Sequence, residues 1–288
     1  MNANPDPEYR LDLIVARRRI RPQPARGLAA LLVALISAPA IAAQATAPPQ
    51  SKVEAEEATY EHCMTLAKTD PGAARDMAAK WSTRGGAHPA DHCYAVALIG
   101  LKQYKPAAER LDKLAAAMLT TAPDSLRAEV LDQAGQAWLL AGDAARAYND
   151  AGAALALAPN DPDILIDRAE AAGEAGWFDK AVADLSTVLK ADPRRVDALI
   201  YRATAYRALN KLDPALADAD AAVRLAPNSA QAVLERGNIR GLRGDVAGAR
   251  EDWQTAMTLA PGSAAALAAK ANLARLNAPA PQPPAQQH

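Results

Sequence analysis

Aromatic residues and histidine are scarce in this chain. Its 288 residues hold seven Tyr, four Trp and one Phe, and His occurs only at 62, 88, 92 and 288. So few rings exclude a thick core built on large side chains. Alanine supplies much of the apolar surface instead, and it favours helix while burying little area per residue. Such a composition suits thin stacked helices. The sequence contains no G-x-S-x-G elbow, no P-loop, no HExxH and no C-x2-C, so the common hydrolase, nucleotide and zinc signatures are missing. Ser125 and Ser186 have no His-and-acid context; they are expected at a helix start and on an exposed helix. Glu170 and Glu174 stand one helical turn apart and are expected on a solvated face. No catalytic residue, cofactor or resident metal is assigned, and the chain is not expected to be an enzyme. Net charge is −1. Without residues 1–42, 26 basic residues stand against 30 acidic ones, which leaves no basic footprint for nucleic acid.

The N-terminus departs from this pattern. Arg10, Arg17, Arg18, Arg19, Arg21 and Arg26 precede an uncharged run from Gly27 to Ala43 with an apolar centre at Leu28 to Ile36. Pro39 and the small residues Ala40-Ile41-Ala42 and Ala43-Gln44-Ala45 follow. A basic flank, a short apolar stretch and A-x-A sites make residues 1–43 a signal peptide, with an uncleaved membrane anchor as the rival reading. Either way the remainder is exported, periplasmic or secreted, and membrane contact arises only if the segment is retained. Residues 44–54 are Ala, Pro, Gln and Ser-rich and are expected to be a linker. The Pro/Gln-rich tail 278–288 cannot bury enough apolar surface to order itself.

The rest is periodic. Pro159, Pro193, Pro227 and Pro261 are each 34 residues apart, as are Gly142, Gly176, Asn210 and Gly244, and Ala147, Ala181, Ala215 and Ala249. The Gly/Asn register marks a helix end in the left-handed conformation. The Ala register marks where two antiparallel helices come close. The units are 128–161, 162–195, 196–229 and 230–263. Each is expected to run helix A, turn, helix B. Residues 88–121 fit a degenerate unit through Ala95, Leu98, Tyr104, Ala107 and Leu111, and an insertion at Thr120 to Ser125 breaks its register. Residues 55–87 suggest another hairpin turning at Asp70-Pro71-Gly72, making 55–121 two degenerate hairpins. Residues 264–277 have the make-up of a helix capping the last apolar face.

Leu131, Gly135, Trp138, Ala147 and Pro159 resemble the tetratricopeptide-repeat (TPR) pattern of W-x2-L-G-x2-Y, A-x3-F and P at the family's 34-residue period. The resemblance covers residues 128–263. It implies an all-α fold, a right-handed α-solenoid of TPR hairpins with a C-terminal capping helix, in an exported bacterial TPR protein. The family's large position in helix A meets one in helix B, here Trp138/Ala151, Ala172/Leu185, Tyr206/Ala219 and Arg240/Trp253. Large faces small in each, except that Arg240 is expected to lay its stem and charge on Trp253.

By the same resemblance the A helices line a concave groove that holds a peptide or helix of another protein, so the implied function is a non-catalytic adaptor or scaffold. The groove positions are Asp132, Gln136, Ile166, Glu170, Ile200, Thr204, Arg207, Leu234 and Asn238. Ile166, Ile200 and Leu234 would form an apolar stripe, or would instead pack between hairpins. Of the Lys/Asn/Arg clamp that some TPR proteins use for a terminal carboxylate, only Asn238 is present.

Two further sets carry expectations. Asp150, Asp184, Asp218 and Asp252 recur at 34 residues, as do Arg168, Arg202 and Arg236, with Lys270 in the same phase. Pairing between repeats, Asp150–Arg168, Asp184–Arg202, Asp218–Arg236 and Asp252–Lys270, uses every member and is preferred over pairing within a repeat. Cys63 and Cys93, the two cysteines, are expected to form a disulfide between neighbouring A helices, closing a loop worth about 3 kcal/mol. The alternative is a small-ligand or metal-handling site from the His62/Cys63 and His92/Cys93 pairs, although adjacent helical residues diverge by about 100°.

Overall fold

A computed structural model describes residues 52–119 and 122–277. Residues 1–43, expected to be a signal peptide, most of the expected linker and the Pro/Gln-rich tail lie outside the described residues. Those described form thirteen α-helices and no strand: α1 (Lys52–Thr69), α2 (Pro71–Ser82), α3 (Ala87–Gly100), α4 (Tyr104–Ala117), α5 (Asp124–Leu140), α6 (Ala144–Leu157), α7 (Pro162–Glu174), α8 (Phe178–Ala191), α9 (Val196–Ala208), α10 (Leu212–Leu225), α11 (Ala230–Leu242), α12 (Val246–Leu259) and α13 (Ala264–Asn277). Odd and even helices pair as six antiparallel hairpins, and α13 covers the last of them. Helices α7, α9 and α11 start 34 residues apart, as do α6, α8, α10 and α12.

Five hairpins turn by one backbone solution. Lys102, Gly142, Gly176, Asn210 and Gly244 take φ values of 59°, 83°, 77°, 56° and 84°. The N–H of each donates to the carbonyl three residues back, and the next N–H donates to the carbonyl five back, as in Gly142 to Leu139 and Asp143 to Trp138. This closes the helix C-terminus and satisfies carbonyls left without intrahelical donors. The next helix then starts on a side-chain cap where Asp is available: Asp143 accepts from the Arg146 N–H and Asp245 from the Gly248 N–H. In the first hairpin Asp70 does the same for Ala73.

Within a hairpin the closest approach falls on the small-residue register. Ala107, Ala147, Ala181, Ala215 and Ala249 are all buried. Gly135 faces this register from helix A, where an added Cβ would stand 3.0 Å from the Ala147 carbonyl oxygen. Leu185 is buried in one cluster with Ala172, and Tyr206 packs with Ala215 and Ala219. The last hairpin departs from expectation. The Arg240 guanidinium donates to Asp252 at 2.9 Å. Room for Trp253 comes from Gly237 and Gly241, whose absent side chains would overlap or crowd the indole.

Except across the break between α3 and α5, successive A helices approach one another more closely than successive B helices do, so the stack curves with its A face inward. Cys63 on α1 and Cys93 on α3 are joined by a disulfide and fully buried with Ala67, Ala74, Ala78 and Ala97. It staples two A helices whose surrounding cluster holds no ring or branched side chain among its buried members.

The left-handed position of the second hairpin carries Lys rather than Gly or Asn. A non-glycine residue there costs about 1 kcal/mol. Lys102→Gly should therefore raise stability by about that amount, read as a higher urea midpoint with unchanged slope.

Candidate binding surface

The A helices present one face to the inside of the curve, and most of what stands there is polar and engaged. On α5, Gln136 donates to buried Asp132 at 2.9 Å and to Asp167 of α7 at 2.6 Å. On α9, Arg207 donates to Glu235 of α11 at 2.6 Å, and Glu235 is 6% exposed. Asn238 donates to Glu235 and accepts from the Trp253 indole N–H and from Asn272 of α13. At the other end, Tyr60 of α1, His92 of α3 and Gln133 of α5 form a chain of 2.8 Å and 2.6 Å hydrogen bonds. With His92 Nε2–H donating to the Gln133 carbonyl oxygen, Nδ1 accepts from the Tyr60 hydroxyl. Burial, helped by the charge of Glu129, raises the Tyr60 pKa and keeps that hydroxyl protonated. The floor of the curve is thus a run of side-chain hydrogen bonds from one A helix to the next.

Of the two readings of Ile166, Ile200 and Leu234, packing between hairpins is the one seen. Ile166 is 0% and Ile200 is 5% exposed, and both lie in the central core cluster. Leu234 is half-buried against the C-terminal cluster. These residues fill the space between hairpins, because adjacent A helices pack too tightly to leave them facing solvent. Thr204 is half-buried and donates its hydroxyl to the Ile200 carbonyl. Asn238 and Arg207 hold the floor together.

What does face outward is acidic. Asp163, Asp167, Glu170 and Glu174 fall at helical spacing along one side of α7. Asp163 and Glu174 are exposed, and Asp167 and Glu170 half-buried. Glu129 is exposed on neighbouring α5. Asp132, Gln136, Asp167 and Glu170 line a small cavity with Gly135 and Ala147. Arg195, at the start of α9, reaches back to Asp163 on this side of α7.

The Arg–Asp ladder is real but paired differently from expectation. Arg168 grips Asp184 through Nε and Nη2 at 2.8 and 2.6 Å, Arg202 grips Asp218 at 2.7 and 2.9 Å, and Arg236 grips Asp252 at 3.0 and 2.6 Å. Every fork lies within one hairpin. The reason is geometric: helices A and B of a hairpin are antiparallel neighbours at their closest approach, and a fork–fork contact needs that proximity. The carboxylate hydrogen bonds raise the pKa of each guanidinium beyond its already high value. Two members of the expected ladder fall out. Lys270 is exposed on α13, with no ion pair among the described residues. Asp150 faces Asp112 instead of Arg168.

The disulfide also removes the metal reading. Both thiolates that the Cys63/Cys93 alternative needs are spent in the S–S bond, and both His92 ring nitrogens face hydrogen-bond partners. No group of three His, Cys, Asp or Glu side chains suited to a metal occurs among the described residues.

The 34-residue step, the shared turn geometry and the inward A helices together decide the architecture. The fold is that of a tetratricopeptide-repeat solenoid. No protein-family model and no curated protein matches the chain. Among solved structures, MamA from Desulfovibrio magneticus RS-1 is 20% identical over 64% of this chain and 92% of its own, with a TM-score of 0.49. YrrB, a TPR protein with an unusual peptide-binding site, is 18% identical over 63% of this chain and 91% of its own, at 0.48. The first TPR of Spaghetti (RPAP3), bound to an HSP90 peptide, is 25% identical over 42% and 95%, at 0.40.

A double-mutant cycle separates the two pairings. Arg202→Ala with Asp218→Ala should show a coupling of about 2 kcal/mol. The cycle of Arg202→Ala with Asp184→Ala should show less than about 0.5 kcal/mol.

Proposed function

We propose that this protein is a non-catalytic, exported adaptor that holds a basic segment of another protein along the inner face of its solenoid. One observation carries the choice of partner: four carboxylates on one side of α7 beside Glu129, with the apolar positions of the groove turned into the core. An apolar stripe would favour an amphipathic helix bound through its greasy face. An acidic strip over a hydrogen-bonded floor favours Lys and Arg side chains spaced three or four residues apart, or alternating along an extended strand. The floor is pre-organised by the Gln136–Asp167 and Arg207–Glu235 bonds, which lowers the ordering cost of binding. Interfaces of this kind draw on charge for specificity and on-rate, so affinity should fall steeply with salt.

Export is supported by the basic and apolar N-terminal segment and by the disulfide, since such bonds persist in oxidising compartments.

Two measurements test this reading. In fluorescence anisotropy with the mature chain, Lys/Arg-rich 15-residue peptides should bind, and Asp/Glu-rich peptides of equal length should not. Glu170→Lys with Glu174→Lys should weaken the basic peptides roughly tenfold or more. Equal binding of both peptide classes would sink the basic-partner reading. In intact-mass analysis of protein from the envelope fraction of its host, the first forty-odd residues should be missing. Both cysteines should resist alkylation until reduced; a retained N-terminus with free thiols would contradict export.

A further inference from the structure

In hairpins four, five and six, the arginine of the ladder has two duties. Its Nε and Nη2 grip the aspartate of its own hairpin. Its Nη1 reaches the B helix of the preceding hairpin, where it donates to Ser186 in the case of Arg202 and lies 3.7 Å from Asp220 in the case of Arg236. For Arg168 the corresponding residue is Gly152, and a Cβ placed there would lie 3.9 Å from Nη1. The guanidinium therefore sits as a cationic rivet between the aspartate register of its own hairpin and the receiving register of the hairpin before it.

Hairpin three lacks the rivet. The residue 34 positions before Arg168 is Ala134, fully buried on α5. The aspartate of its own B helix, Asp150, is still present. The residue at the receiving register of the preceding hairpin, on α4, is Asp112. Two carboxyl groups thus face each other where one guanidinium stands in the other hairpins. Asp112 Oδ2 accepts from the Trp138 indole N–H at 3.0 Å. Its Oδ1 and Asp150 Oδ2 are both buried, with no hydrogen-bond donor among the described residues. Two carboxylates are acceptors only and cannot bond each other; one added proton turns either of them into a donor and satisfies both oxygens.

We propose that Asp112 and Asp150 share one proton, and that this makes the joint between the stapled N-terminal hairpins and the regular repeat array sensitive to pH. Burial and the facing Asp112 carboxylate push the Asp150 carboxyl up to about 7, and burial raises Asp112 as well. The surrounding charges do not undo this. Asp143 in the α5–α6 turn and Glu109 on α4 oppose ionisation of the pair. Arg146 on α6 favours it, but its guanidinium is held over the Trp138 ring at 4.4 Å and against Asp143. From α3, Asp91 is paired with Arg110 of α4; from α5, Arg127 is paired with Asp124; from α7, Arg168 is committed to Asp184.

A carboxyl held above its unfolded pKa binds its proton more tightly when folded. Its contribution to stability is complete below about pH 4 and is lost as pH rises to about 7. Above that, two like charges face each other across the joint. The register break at 120–125 lies between these hairpins, so no arginine rivet compensates. The proposal does not depend on what the inner face binds.

The test is a pH series from 4 to 8.5 on the full chain. The 15N–1H signal of the Trp138 indole, bonded to Asp112, should titrate with a midpoint near 7. In Asp150→Asn the amide donates to Asp112 at every pH, so that titration should vanish. Asp150→Asn should melt with wild type at pH 4 and roughly 2–4 °C higher at pH 8. A flat Trp138 signal in wild type would overturn the shared proton. An undiminished titration in Asp150→Asn would also overturn it.

Discussion

Everything in this stack depends on two antiparallel helices coming close enough to touch through alanine. Ala107, Ala147, Ala181, Ala215 and Ala249 set that distance in five hairpins, and Gly135 and Gly237 deepen it where the partner helix would collide with a side chain. Closeness has a cost, because alanine buries little area and each layer gains modest hydrophobic stabilisation. Polar groups then take on work that a larger core would do elsewhere. At this spacing an arginine on helix A meets an aspartate on helix B with both forks aligned.

The same closeness shapes the inner face. A helices that touch their neighbours cannot leave Ile166 and Ile200 in solvent, so these join the core and leave the face to polar side chains. The hydrogen bonds from Gln136 to Asp167 and from Arg207 to Glu235 tie hairpin to hairpin. The side of α7 that remains outward carries carboxylates. A surface with a rigid floor and a charged edge discriminates among partners by charge pattern rather than by apolar area.

Regularity also makes the exception legible. Because hairpins four, five and six place a guanidinium at one register, Ala134 in hairpin three is informative: it removes a cation and leaves Asp112 against Asp150. The departure falls where the 34-residue step breaks and where the disulfide-stapled hairpins begin. The N-terminal part is held to itself by a covalent bond between α1 and α3. It is held to the array by the His92–Gln133 bond and by the apolar cluster that Leu98, Leu111 and Met118 form with Val130, Ala134 and Trp138, with Asp112 and Asp150 where the other joints have a rivet.

The sequence by itself determined the fold. Prolines, Gly/Asn turns and alanines at one 34-residue step are local instructions, and each hairpin obeys them without reference to distant residues. It also determined the disulfide pairing, since the chain has two cysteines. What only the tertiary structure decided is which face each side chain serves. The 34-residue step is shared by Arg168, Asp184 and Asp150, so periodicity cannot distinguish a partner in the same hairpin from one in the next; the shorter distance within a hairpin can. Nor could it assign Ile166 to core or groove, because that depends on how closely neighbouring A helices pack. Lateral bonds such as Tyr60–His92–Gln133 leave only a faint trace, polar residues at the step Gln133, Asp167, Tyr201, Glu235. The Asp112–Asp150 pair was hidden by the shifted frame of residues 88–121, which moves Asp112 out of step with its equivalents. A repeat pattern specifies the geometry common to all hairpins; contacts across a break in the pattern are set by packing, where the chain's periodicity no longer acts.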